Sequence, residues 1–205
     1  MMLENNSFCA IISKCMFMKD SSMNNHINNA IKHFKTITHH KLLVMEGCFR
    51  LGLYKQGLLH DLSKYTPEEF ITGVRYYQGT RSPNTAEVEA NGYSKAWLHH
   101  KGRNKHHFEY WIDFSVKDKD KPLRIAPMPK KYICEMFVDR VVACKIYNKE
   151  NFKLSDPLDY FNRGDTRQFL HPKTLKLIEL LLTMYAEKGE KYTFAFIRKK
   201  ILKNA

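Results

Sequence analysis

The chain has 205 residues, 43% of them hydrophobic and 13% aromatic, which is enough for a buried core and excludes a disordered chain. Its formal charge of +13 draws anions: nucleotides, phosphorylated metabolites, nucleic acid or acidic lipid. No run of about 18 apolar residues occurs, which excludes an evident membrane-spanning helix, and five cysteines without CxxC spacing exclude a zinc ribbon or disulfide framework and fit a cytoplasmic protein.

Residues 1 to 25 show no regular period and read as an irregular extension, and residues 26–205 as one all-α domain. The segment FCAIISKCMFM is only briefly apolar and lacks a small-residue cleavage site, so it is not read as a signal peptide. From His26 to Tyr54 the pattern is helical. Ile27, Ile31 and Phe34 share one face, and Leu43, Val44, Gly47 and Leu51 share another below His40. Gly52 and Gly57 punctuate the approach to a second helix, GLLHDLSK. Pro67 opens or ends a helix, with Thr66 as N-cap and Glu69 completing a capping box.

YYQGTRSPNTAE reads as loop. GYSKAWLHHKGRNKHHFEYW reads as two helical pieces broken near Gly102, and the Lys-, Asp- and Pro-rich stretch 117–129 as an exposed loop. KKYICEMFVDRVVACKIY is a strong helix, with Ile133, Phe137, Val141 and Cys144 on one side and Glu135 and Asp139 on another. HPKTLKLIELLLTMYAEKG is a long amphipathic helix expected to close at Gly189. Cys48, Cys134 and Cys144 fall in apolar patterns and read as small core residues.

The chemistry concentrates in the histidines, seven of the ten lying between positions 39 and 107. His39-His40, the pair His60-Asp61, His99-His100 and His106-His107 precede Asp139, which stands in the apolar run EMFVDRVVA. A carboxylate among Phe137, Val138, Val141 and Val142 is costly unless a cation or hydrogen bonds compensate it. Imidazole, carboxylate and water together suit manganese, iron, cobalt or zinc better than calcium. One member of each histidine doublet is expected to pack or face solvent.

The order His, His-Asp, further His and a distant Asp resembles the HD-domain superfamily of metal-dependent phosphohydrolases over roughly residues 36 to 147. HDLSK resembles the HDxxK variant of its motif, and the chain is also similar to small bacterial proteins grouped only as a domain of unknown function. The resemblance implies a single HD-like helical bundle holding one or two divalent transition metal ions (Mn, Fe, Co or Zn) that activate water against a phosphoester. It places the first histidine on His40, which shares a face with Leu43 and Leu51, whereas His39 aligns with polar Glu46 and Arg50. His60 and Asp61 are the signature pair and Asp139 is the final aspartate. His100 and His106 or His107 are candidates for a second metal, of which His100 and His106 are taken, with Asp61 bridging.

Lys64, four residues after His60 and three after Asp61, reaches the same face if the helix continues, and is assigned with Asp61 to catalysis. Arg81, Lys101, Arg103 and Lys105 are the expected substrate-binding cations, with Lys95 in the same basic belt. The expected partner is a small phosphorylated substrate, nucleotides first, ahead of nucleic acid and with no membrane. The rival readings are a di-iron oxygenase on the same scaffold and a non-catalytic nucleic-acid or phospholigand-binding module.

Overall fold

A computed structural model describes residues 21–116, 119–120 and 122–203. The expected extension, apart from its last few residues, and with it Cys9 and Cys15, lies outside the described residues. The chain is all-α apart from one small hairpin. Among the described residues eight helices follow in order: α1 Ser21–Arg50, α2 Tyr54–Leu59, α3 Pro67–Arg75, α4 Pro83–Asn91, α5 Lys95–Arg103, α6 Lys130–Asn148, α7 Asp156–Arg163 and α8 Pro172–Phe196. Strands β1 Ile112–Phe114 and β2 Leu123–Ile125 pair antiparallel, Asp113 opposite Arg124. Among the described residues no helix is long and apolar enough to cross a membrane.

The described residues fall into two compact units, one built from residues 21–39 and Leu62–His100, the other from His40–Asp61 and the described residues from Lys101 onward. In the first, His33 is buried at 6% exposure. Its ring lies 5.4 Å from that of Phe70 and 5.9 Å from that of Tyr77. A Cβ on Gly73 would fall 2.1 Å from His33 Nε2, so α1 and α3 touch there at the closest distance glycine allows. Ser94 accepts from the Trp97 N–H at the start of α5 and donates to buried Glu87, which also accepts from Ala96 N. Ile27, Ile31 and Phe34 do share a face, and that face is nearly half exposed.

The second unit carries the larger core. Val44 and Cys48 of α1, Phe137 and Val138 of α6, and Ile178, Leu181 and Leu182 of α8 are at most 2% exposed. Each such aliphatic or aromatic side chain contributes roughly 1.5–3 kcal/mol relative to exposure. A Cβ on Gly47 would stand 2.6 Å from Val138 Cγ1, so the missing side chain is what lets α1 and α6 approach. Cys134 is likewise buried and Cys144 partly so, as expected of packing thiols.

Several local expectations are corrected. Helix α1 starts at Ser21, and it ends at Arg50, where Gly52 turns the chain at φ 81°. Thr66 does stand before α3, but its hydroxyl donates to Ser63 O and no capping box forms, because Glu69 is drawn to His99 and His100 instead. The stretch read as loop becomes helical at Pro83, with Ser82 accepting from Asn84 N and proline pre-set for the first turn. Gly102 stays inside α5, which breaks at Asn104. Residues 123–125, read as exposed loop, form β2. Helix α8 does not close at Gly189 but kinks there (φ 76°, ψ 178°) and resumes, because Phe194 and Ile197 beyond it are buried. Glu190 pins the kink by accepting from Arg50 at 2.5 Å and Lys145 at 2.6 Å.

Candidate metal centre

Within the second unit, α1, the end of α2 and α6 converge on one cluster of ionisable side chains. His40 lies two turns before Gly47 on the same face of α1, so the close α1–α6 contact carries it to α6. There His40 Nε2 and Asp139 Oδ1 are 2.9 Å apart. Helix α2 stops at Leu59, and His60 leaves it in an extended conformation. Asp61 follows at φ 53°, a left-handed backbone that aspartate tolerates better than most residues. Lys41 Nζ donates to Leu58 O at 2.7 Å and His60 O at 3.0 Å, satisfying carbonyls that the helix end would otherwise orphan.

Asp61 sits between two imidazoles. Its Oδ2 is 3.3 Å from His60 Nε2 and its Oδ1 is 3.4 Å from His106 Nε2. Asp139 Oδ1 stands 3.5 Å from the same His60 nitrogen. The far nitrogens of both rings meet one carboxylate oxygen: Glu135 Oε1 lies 3.0 Å from His60 Nδ1 and 3.2 Å from His106 Nδ1. Nδ1–H groups donating to Glu135 leave both Nε2 atoms directed at Asp61. That is how outer carboxylates fix the tautomer of metal-ligating histidine.

The donor set fits a transition metal. One ligand atom each of His40, His60, Asp61 and Asp139 fall within 4.8 Å of one another, as do those of His60, His106 and Glu135. Asp61, His106 and His107 meet the same criterion. His60, Asp61, His106 and Glu135 are at most 4% exposed. Buried His60 Nε2 makes no hydrogen bond of acceptable geometry although two carboxylate oxygens face it, an arrangement a cation would complete.

The electrostatics agree. Burial alone would lower the pKa of His60, but the Asp61 carboxylate, with Asp139 beside it and the Nδ1–H bond to Glu135, outweighs it and holds the value well above the usual imidazole range. Burial would raise Asp139, yet the hydrogen bond to His40 and the neighbouring His60 ring keep it well below the usual carboxylate range. Glu135 is lowered for the same reason, His106 and His60 overcoming its burial. A proton on the His60 imidazole thus compensates the buried carboxylates, and a metal would displace it.

His40, His60, Asp61, His106 and Asp139 are therefore brought together as their sequence order implied. His107 packs its ring 4.2 Å from that of His106. His100 belongs to the first unit, where its Nδ1 lies 2.7 Å from Glu69 Oε2, and His99 Nδ1 lies 2.6 Å from Glu69 Oε1. Lys64 stands in a 3-10 turn of that unit, Leu62–Tyr65. The chain turns at Asp61, so the helical spacing that aligned Lys64 with His60 and Asp61 does not exist. Arg81 makes a bidentate pair with Glu89 at 2.6 Å. Lys101 lies near the end of α5, and Arg103 and Lys105 line a cavity of about 310 Å³ that has His106 and Glu135 in its wall.

Glu135 was not among the expected site residues. Its signal was an acid inside the apolar run CEMFV, one helical turn before Asp139.

The chain belongs to a family of unknown function (DUF5662), whose profile matches residues 29–184. No curated protein and no solved structure matches it.

Proposed function

We propose that the chain is a metal-dependent hydrolase of phosphate esters, nucleotides first, related in its site to the HD-domain superfamily. The observation that carries this reading is the Asp61 carboxylate, with an oxygen toward each of two imidazole Nε2 atoms whose Nδ1 positions share Glu135. His40, His60, Asp61 and Asp139 would hold one ion, and Asp61, His106 and His107 would hold a second. A divalent ion bound there supplies Lewis acidity and lowers the pKa of water toward about 7. Asp61 belongs to both sets, and Asp139, 2.9 Å from His40 Nε2, would hold the ion beside it. Glu135 retains the protons on the two Nδ1 atoms, so the opposite nitrogens stay available as ligands. Arg103 and Lys105 in the cavity wall bind and orient phosphate oxygens.

The shared position of Asp61 suits a pair of irons that activates oxygen equally well. Two irons per chain with an oxygen-sensitive optical band would select that reading. The test of the hydrolase is a screen of phosphomonoesters, phosphodiesters and nucleotides with protein loaded with manganese, iron, cobalt or magnesium. Turnover is expected in at least one metal form. Asp61→Ala should lose most metal and fall to background while keeping its helical content. Silence across the screen in metal-replete protein would refute the hydrolase, and full metal occupancy in Asp61→Ala would refute the ligand set.

A further inference from the structure

The cavity beside the metal centre shares wall residues with a second one. The first, about 310 Å³, takes Lys55, Gln56 and Lys131 into its wall. A cavity of about 640 Å³ shares those three residues and adds Arg50, Arg198 and Tyr54. Each falls in the range of roughly 300–1,000 Å³ usual for a small-molecule site. They exceed what one phosphate at the metal centre requires.

The chemistry of the second cavity is one-sided. Among the described residues four cations line it and no carboxylate does. Arg50 is paired with Glu190 at 2.5 Å, which leaves Lys55, Lys131 and Arg198 as the cations facing a ligand. Arg198 is held in place by donating from Nη1 to Arg50 O at 2.9 Å. It belongs to a π-helical turn, Ile197–Ile201, a local geometry often found at functional sites. Glu135, the carboxylate that lines the first cavity among the described residues, is taken up by two imidazoles. Tyr54 is 61% exposed, its ring edge-on to Phe49 at 5.3 Å, and so presents an aromatic surface within the basic lining. Cations flanking an exposed ring match a phosphate next to a base.

We propose that Lys55, Lys131 and Arg198 form a second anion subsite for a phosphate other than the one attacked, so that the substrate carries phosphates on both sides of a nucleoside. This inference rests on the hydrolase reading for the identity of the first phosphate. A free nucleoside bisphosphate and an internal unit of a short single strand present the same chemistry, and the probes separate them.

The experiment measures binding to the full chain by calorimetry, with and without manganese. Its probes are adenosine 5′-monophosphate, adenosine 3′,5′-bisphosphate and a 5′-phosphorylated tri-adenylate. The bisphosphate should bind at least about ten-fold tighter than the monophosphate, as one added charge-assisted contact implies. Lys131→Ala/Arg198→Ala should erase that preference while leaving the monophosphate within about two-fold, and Arg198→Lys should retain most of it. A tri-adenylate preferred over the bisphosphate assigns the subsite to a strand, and the reverse order assigns it to a free bisphosphate. Equal affinity for mono- and bisphosphate, a preference that survives the double variant, or no binding of any probe would overturn the subsite. A preference that depends on these residues, in protein that turns nothing over, would overturn the hydrolase and leave the subsite standing.

Discussion

Glu135→Gln isolates the role of the carboxylate behind the two histidines. The side chain is 4% exposed and its Oε1 lies 3.0 Å and 3.2 Å from the Nδ1 atoms of His60 and His106. Glutamine keeps the shape and can still offer a carbonyl oxygen, but it loses the charge. A buried hydrogen bond involving an ionised group contributes about 1.5–3 kcal/mol, against about 1 kcal/mol for a neutral one. Two such bonds weakened together amount to about 1–3 kcal/mol, which corresponds to a loss of roughly 10- to 100-fold in metal affinity. The amide also offers N–H groups that, if turned toward an imidazole, reverse its tautomer and direct Nε2–H at Asp61. The assay is competition for cobalt or zinc between the protein and a chromophoric chelator, with far-ultraviolet circular dichroism as the control for folding. Affinity within two-fold of the parent, in a folded variant, would show that Glu135 does not position the ligands.

Gly47→Ala should destabilise the second unit by about 1 kcal/mol, because overpacking of about 1–3 kcal/mol against Val138 exceeds a helix-propensity gain near 1 kcal/mol. Urea midpoints measure this, a several-fold loss of metal affinity should accompany it through the His40–Asp139 spacing, and Val138→Ala should restore both; an unchanged midpoint in the single variant would remove the close-contact argument. His33 gives a pH dependence: burial, then the charge of Lys64, lowers its pKa from 6.5 to about 4 in the folded chain. The unfolded chain takes up that proton first as pH falls, so stability drops between about pH 6.5 and 4 by about 3 kcal/mol. Denaturation curves across that window should be flatter for His33→Gln, and identical slopes would show that the ring is not held neutral.

Helices α6 and α8 were readable because their apolar residues recur at helical spacing over many turns, and all-α architecture followed from them. His40, His60-Asp61 and Asp139 were readable as an ordered set, since each is the kind of residue whose placement in an apolar pattern asks for compensation. Asp61 hid the break in the chain: its neighbours LLHDLSK keep a helical pattern, and only the tolerance of aspartate for a left-handed backbone hinted otherwise. The Ser82-Pro83 start of α4 carried a cap signal that its Gly- and Asn-rich surroundings masked. Strands of three residues are too short for alternation to register. Lys55, Lys131 and Arg198 come from three distant segments, and no local period records that they line one cavity.

The left-handed backbone at Asp61 sets stability and chemistry against each other at a single position. A residue other than glycine held there costs of order 1–3 kcal/mol. Glycine would relieve that strain and asparagine would accept the conformation, yet neither supplies two charged oxygens toward His60 and His106. Selection for a sturdier fold alone would therefore drift toward glycine here, and random libraries screened only for thermal resistance should recover it. A library screened for metal retention should reject the same change, so the two selections diverge at one codon.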